Sequence, residues 1–382
     1  MNNIVVMGFV SLFTDISTEM AYPLIAMYLT MLGSSPAIIG VIEGIAESLA
    51  SLLKVFSGYV ADRHRNKKKL TMLGYGISML GKLFLILSTS WLWVLASRIV
   101  DRFGKGVRTA PRDVLIAEAA KEGQKGRAFG LHRAMDSIGA FVGVLIAFIL
   151  VSNFKGNFKT VFIISIIPAI LGVLCIFLVK EKRGGIKTAQ PPSFKWNLLD
   201  GRLKAFLVLA FIFTLGNSSN QFLLLRAYKM GFDSRTVILL YLAYNLIYAL
   251  LSYPLGRLSD KIGRKHLLIS GYILYGLVYL GFGLAVRQYQ VWILFAVYGL
   301  YIAATEGVEK AFVSDISPAE LRGTVLGLHA TLVGIGLFPS SLIAGLLWDA
   351  FGPTAPFYFG GVMGLIAAVY LFILFLAKPE AR

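Results

Sequence analysis

The sequence predicts an all-α membrane protein, with twelve transmembrane helices arranged as two pseudo-symmetric six-helix bundles. Three observations carry that prediction. Hydrophobic residues make up 57% of the 382 positions and charged residues 15%, against about a quarter charged in a soluble domain, and the mean hydropathy is +0.73. The apolar residues fall into twelve runs, each near the ~20 residues that cross a bilayer. The first six runs are echoed in the last six.

In chain order the spans fall at roughly 4–33, 37–61, 70–90, 91–118, 126–152 and 158–180, then 204–228, 235–256, 266–287, 289–313, 323–350 and 354–377. An even count puts both termini on one side. Arg63, Arg65, Lys67, Lys68 and Lys69 follow span 2, and Arg257, Lys261, Arg264 and Lys265 follow span 8. Lys182, Arg183, Lys187, Lys195 and Arg202 lie between spans 6 and 7. All three stretches share the side of the termini. The opposite loops hold little beyond Lys155, Lys159, Lys229 and Arg287. The Lys/Arg excess predicts cytoplasmic termini. Residues 181–203, with Gly184-Gly185 and Pro191-Pro192, read as a cytoplasmic linker between a bundle at 1–180 and another at 204–382.

The same distribution disposes of other classes. The net charge of +17 does not form a soluble basic face, so nucleic acid is not an expected partner. A single cysteine, Cys175, excludes an intrachain disulfide framework and a cysteine-rich metal site. The N-terminus lacks a basic leader, and Asp15 and Glu19 interrupt its apolar run, so it does not read as a signal peptide. Gly76-Ile-Ser-Met-Leu-Gly81-Lys82-Leu83 approximates a phosphate-binding loop, but Leu83 replaces the metal-binding hydroxyl and no strand precedes it. The four histidines (His64, His132, His266, His329) have no zinc-protease spacing, and no nucleophile elbow exists. No cofactor, metal or enzymatic activity is expected.

The halves repeat in order. Gly58-x-x-x-Asp62-Arg63 recurs as Gly256-x-x-x-Asp260-Lys261, Gly126-x-x-x-Gly130-Leu131-His132 as Gly323-x-x-x-Gly327-Leu328-His329, and Phe13-Thr14 as Phe213-Thr214. Internal repeats of this kind mark secondary transporters, whose substrate site lies near mid-membrane between the repeats. Gly256-Arg257-Leu258-Ser259-Asp260-Lys261-Ile262-Gly263-Arg264-Lys265 resembles motif A of the major facilitator superfamily. The copy from Gly58 to Lys68 is weaker, with Arg65 at the second glycine position. Arg98 resembles the motif B arginine, although Arg102 stands where that motif has glycine. Gly139 and Gly143 resemble part of the antiporter motif C without its Gly-Pro pair. The departures set the chain apart from typical drug:proton antiporters, and the stretches Phe13–Pro23 and Asp101–Asp113 resemble a less characterised prokaryotic branch, which implies a prokaryotic inner membrane. The resemblance implies that Gly58, Asp62, Arg63, Gly256, Asp260, Lys261, Gly263 and Arg264 serve a conformational switch. Asp62 would face the start of span 11, and Asp260 the start of span 5.

An ionisable residue inside a span is a functional candidate by default, since it costs ~2.5–3.5 kcal/mol on insertion scales. Asp15 and Glu19 are one turn apart on span 1, and Glu43, Glu47 and Lys54 share a face of span 2. Span 4 carries Arg98, Asp101, Arg102, Lys105 and Arg112 as one expected stripe, and span 5 carries His132, Arg133 and Asp136. At ~1.5 Å per residue, Asp15, Glu47, Arg102 and Asp136 each lie about 15–17 Å from the nearer end of their span. Lys82 is also at mid-depth. Asp15, Glu19, Glu43, Glu47 and Asp136 are therefore proton-coupling candidates. Arg98, Arg102, Lys105 and Arg133 are candidate charge partners or anion ligands, and a purely structural salt-bridge network is the alternative for many of these groups. The second half is neutral by contrast. Asn217, Asn220, Gln221, Tyr241, Asn245 and Glu306 are its substrate-cavity candidates, with Glu309 the other deep acid.

The expected function is a monomeric secondary active transporter that exports a small organic solute by rocking-type alternating access, coupled to protons. An organic-anion or metal-chelate carrier is the alternative within transport, because span 4 is so basic. A non-transporting membrane sensor is the alternative of another class. The expected partners are the solute, protons and the lipid bilayer.

Overall fold

The computed structural model describes residues 3–63, 66–120, 124–154, 156–180, 199–318 and 321–377, with the side chains at 55–56, 58–63, 125 and 376–377 excepted. Gly58, Asp62 and Arg63 fall among those excepted side chains. His64, Arg65 and most of the linker lie outside the described residues.

The described chain is helical, with no strand. Its helices are α1 (Asn3–Ala21), α2 (Ile25–Met31), α3 (Pro36–Arg63), α4 (Lys67–Ile86), α5 (Trp91–Ala119), α6 (Lys125–Asn153), α7 (Phe158–Phe177), α8 (Gly201–Gly216), α9 (Gln221–Lys229), α10 (Ser234–Ile262), α11 (Arg264–Leu284), α12 (Gln288–Asp315), α13 (Arg322–Phe351) and α14 (Ala355–Phe372). Fourteen helices make twelve spans because spans 1 and 7 are each broken in two. A short 3-10 turn at Tyr22–Leu24 separates α1 from α2, where Pro23 has no N–H to donate. Non-helical backbone around 217–220 separates α8 from α9. Side chains there that compete with the helix for its own hydrogen bonds account for the break.

Eleven of the spans are long and apolar enough to cross a membrane. The exception is α5, whose 29 residues suffice in length but carry too many charges. Other helices turn apolar side chains outward, as with Ile163, Ile167, Ile170, Leu174 and Phe177 on α7. Recurring every three or four residues, they form a face suited to lipid.

The chain divides into two compact units, and the division passes through α3. One comprises Met1–Ser34, Ile45–Pro191 and Ser234–Leu239; the other comprises Ser35–Gly44, Pro192–Asp233 and Leu240–Arg382. In the first, α4 packs along α5, and α1 against α6 and α7. The α1–α6 contact is backbone to backbone. A Cβ at Gly143 would lie 2.5 Å from the Ile16 carbonyl oxygen, and one at Gly139 would meet the carbonyl of Leu12. The two glycines that resemble part of motif C therefore let α1 seat directly on α6.

In the second unit α11 packs against α12 and α14, and α8 against α13 and α14. Its interior is aromatic. Tyr272 stacks on Phe213 at 4.1 Å between ring centroids, and Tyr275 packs on Tyr279 at 4.2 Å and on Tyr301 at 4.9 Å. The hydroxyl of Tyr275 donates to the Gly216 carbonyl at 2.7 Å, which satisfies a group left open where α8 ends.

Candidate functional site

Three groups of charged side chains in the first unit lie around α5. The first joins α1 to α6. The carboxyl groups of Asp15 and Asp136 face each other within hydrogen-bonding reach, an approach that a proton on one of them would turn into a hydrogen bond, because two carboxylates have no donor to share. The Ser11 hydroxyl, one turn before Asp15, also donates to Asp136. Arg133 approaches the other Asp136 oxygen at 3.3 Å from an exposed position. Lys105 and Glu19 are the next charges that act on Asp15.

The second group centres on α3. Glu47 accepts Arg102 at 2.7 Å and Arg98 at 3.6 Å on one carboxylate oxygen. Both guanidinium groups are buried, and Arg98 also lies over the ring of Tyr22, 5.4 Å from its centroid. Lys105 acts electrostatically on Glu47 as well as Asp15, so one amine bears on both acidic centres.

The third group lies toward α4. Lys82 is buried, 3.5 Å from the Thr18 hydroxyl, with Asp101 as its principal opposite charge. Arg108 donates to the Ser78 hydroxyl at 3.1 Å and sits 4.2 Å over the ring of Tyr75. The single stripe expected on span 4 is thus divided. Arg98 and Arg102 serve Glu47, Asp101 serves Lys82, and Arg112 pairs with its neighbour Asp113 at 2.8 Å. The physical reason is the width of the set: steps of three and four residues drift to either side of a line along the helix, and packed neighbours take different edges.

The second unit brings its neutral candidates together around the break between α8 and α9. The Tyr298 hydroxyl donates to the Asn220 amide oxygen at 2.6 Å, and the Asn220 amide donates to the Tyr244 hydroxyl at 3.1 Å. Asn217 donates to Tyr301 at 3.4 Å. Tyr241 stands edge-on to Tyr244 at 5.1 Å. Gln221 is fully buried. Asn245 turns back onto its own helix, donating to the Tyr241 carbonyl at 2.8 Å. Glu306 is exposed and pairs with Lys310 at 3.6 Å, apart from the asparagine–tyrosine group. Glu43, assigned to this unit, is fully buried, and Ser219 donates to its carboxylate at 3.4 Å.

At the motif A repeat, Arg264 holds Asp260 at 3.1 Å and the Ala311 carbonyl at 3.1 Å, and pairs with Asp315 at 2.5 Å. It ties the start of α11 to the end of α12. Gly263 has φ +90°, a left-handed conformation that explains glycine between α10 and α11. A Cβ at Gly256 would meet nothing within 4 Å. Lys261 is exposed.

Two groupings escape a reading by sequence. Lys82 and Asp101 lie on different helices with no local signature. Tyr272, Glu309 and His329 meet from three helices: Glu309 lies 2.7 Å from His329 Nε2, and the Tyr272 hydroxyl donates to it at 3.3 Å. The repeat held the missing signal, because Gly74-Tyr75 and His132 precede Gly271-Tyr272 and His329 by the same 197 positions.

A family profile described as Major Facilitator Superfamily matches residues 7–225 and 205–382. An uncharacterized MFS-type transporter of Methanocaldococcus jannaschii is 38% identical over 378 residues, covering 97% of this chain and 94% of its own. The multidrug resistance protein MdtH of Escherichia coli is 24% identical over 398 residues, covering 100% and 94%. Among solved structures, the nucleoside transporter NupG superposes with a TM-score of 0.82 at 13% identity, over 99% of this chain and 100% of its own. A POT family transporter in complex with 5-aminolevulinic acid gives 0.81 at 14% identity, over 97% and 95%.

Proposed function

As a member of the major facilitator superfamily this chain is a multi-pass secondary transporter and not an enzyme, and we propose that it exports small organic solutes in exchange for protons, with Asp15 and Asp136 as the coupling pair. The observation that carries the reading is the approach of the Asp15 carboxyl on α1 to the Asp136 carboxyl on α6. Such a pair holds one proton between two acids. Lys105 acts on Asp15 from α5, so a small shift of α5 against α1 exchanges the shared proton for an ammonium as the balancing charge. The arginines cannot take this part, because they do not deprotonate.

Alternating access by a rocking motion of the two halves, within a prokaryotic inner membrane and with both termini cytoplasmic, would tie that exchange to solute movement. The solute side is assigned to the asparagine–tyrosine group of the second half. There Asn217 and Asn220 supply hydrogen bonds beside several aromatic faces, a lining suited to organic molecules. The outward direction is favoured by the full-length similarity to a protein named for multidrug resistance.

The test is transport in proteoliposomes under an imposed pH gradient, with ethidium and carboxyfluorescein as cationic and anionic probes. The wild type is expected to accumulate ethidium against its gradient. Asp15→Asn and Asp136→Asn are each expected to abolish that accumulation and to retain probe counterflow. Full accumulation by both variants moves coupling to Glu19, Glu43 or Glu47. Carboxyfluorescein exchange independent of pH overturns the proposal in favour of an anion carrier.

A further inference from the structure

We propose that Tyr272, Glu309 and His329 form a second proton-binding site, built by α11, α12 and α13 of the second half and separate from the Asp15–Asp136 pair. The imidazole and the carboxylate are 2.7 Å apart, a distance at which one proton lies between them in a charge-assisted hydrogen bond. The Tyr272 hydroxyl donates to the second oxygen of Glu309 at 3.3 Å. Tyr272 is fully buried, and only 8% of the His329 side chain and 16% of the Glu309 side chain are exposed. The wall is apolar: Phe206 of α8 stacks on the imidazole at 6.4 Å with planes 15° apart, and Phe312 and Phe375 pack on Phe206. Burying an ionisable pair there costs more than packing apolar groups of the same size, so stability alone is a poor account of it.

The repeat gives an independent reason. Shifting the sequence by 197 places sets Tyr75 on Tyr272, Arg112 on Glu309 and His132 on His329. In the first half the same three positions are also neighbours, with Arg112 acting electrostatically on Tyr75 and on His132. The two halves therefore carry opposite charges at the corresponding central position, although Arg112 pairs with Asp113 and it is Arg108 that lies over the Tyr75 ring. The central group of the first-half version keeps its proton, being an arginine, whereas that of the second-half version is a carboxylate that can exchange one with the imidazole beside it. Other titratable groups bear on it. Tyr301 acts from α12 on Tyr272 and Glu309, and Glu306, balanced by Lys310 at 3.6 Å, acts on Tyr301. Among the described residues His329 is the basic group that pairs with Glu309.

A role for this site in coupling rests on the export reading, but its protonation does not, and the experiment separates the two. The full chain, labelled with nitrogen-15 histidine, is examined by NMR in nanodiscs across about pH 5–9, the range in which imidazoles exchange. It contains four histidines, and His329→Gln assigns the His329 signals by deleting them. The His329 nitrogen signals are expected to move in Glu309→Gln, which removes the carboxylate 2.7 Å from Nε2, and to stay in place in Asp136→Asn. A His329 signal that does not change with pH, or one that Glu309→Gln leaves in place, overturns the proposal. Should Glu309→Gln fail to fold, infrared spectra of His329→Gln decide instead. A protonated-carboxyl band that changes with pH, absent from His329→Gln with Glu309→Asp, supports the site, and an identical band in both overturns it. Either result stands whatever Asp15→Asn does to ethidium transport.

Discussion

Glu47 is the acceptor for two buried guanidinium groups, and its removal tests what the cluster around α5 contributes. Breaking a fully buried pair costs roughly 3–5 kcal/mol. A third of the Glu47 side chain is exposed, so solvent screens part of that, and Glu47→Gln is expected to cost about 1–2 kcal/mol. Thermal unfolding in detergent should give a lower midpoint for Glu47→Gln, and pairing it with Arg102→Gln should recover part of the loss, as coupled sites do. A double variant that loses the sum of both single effects would show the pair to be uncoupled. The need for charged groups in the interior could be read from the sequence, because each is too costly to be accidental. Their pairings could not. Which edge of α5 meets Glu47 and which meets Lys82 depends on how the helix is rolled against α3 and α4. His329 was harder still, since a lone histidine carries no spacing pattern until its neighbours from other helices are known.

The contact of α1 with α6 turns on two small residues. Gly139 and Gly143 let the backbones touch, and that approach brings Asp15 toward Asp136, which lies about one turn from Gly139 and two from Gly143. Gly143→Val is expected to separate the helices. A packed site forced to accept extra bulk loses ~1–3 kcal/mol, visible as a lower melting midpoint in detergent. The same variant should lose proton-driven ethidium accumulation although both acids remain. Retained coupling with lowered stability would break the link between helix approach and the carboxyl pair. The spans themselves were legible to within a few residues, because length and hydropathy are imposed by the bilayer. Their interruptions were not. A run such as 216–220 passes for apolar helix in an average over twenty residues, yet four consecutive side chains that compete for backbone hydrogen bonds suffice to open it.

Taken as a whole, the molecule repeats one plan with two chemistries: a charged first half around α5 and an aromatic, largely neutral second half around α11 and α12. The repeat was visible in its glycines and histidines, whereas the charge reversal between Arg112 and Glu309 needed the contacts. The unusual composition of α5 has a further consequence, for how the chain is made. A segment with Arg98, Asp101, Arg102, Lys105 and Arg108 near its middle would cost several times ~2.5–3.5 kcal/mol if released into lipid alone, more than its apolar residues can offset. Yet α4 precedes it by a short loop, packs along its length, and supplies Lys82 beside Asp101. During synthesis α5 must therefore wait at the translocon until it leaves with α4 as a hairpin. In a glycosylation-mapping assay, α5 by itself is expected to pass through into the lumen, and the α4–α5 hairpin to integrate. Lys82→Leu, which makes α4 more apolar, should nonetheless impair integration of the hairpin, because the passenger loses the charge that meets its aspartate.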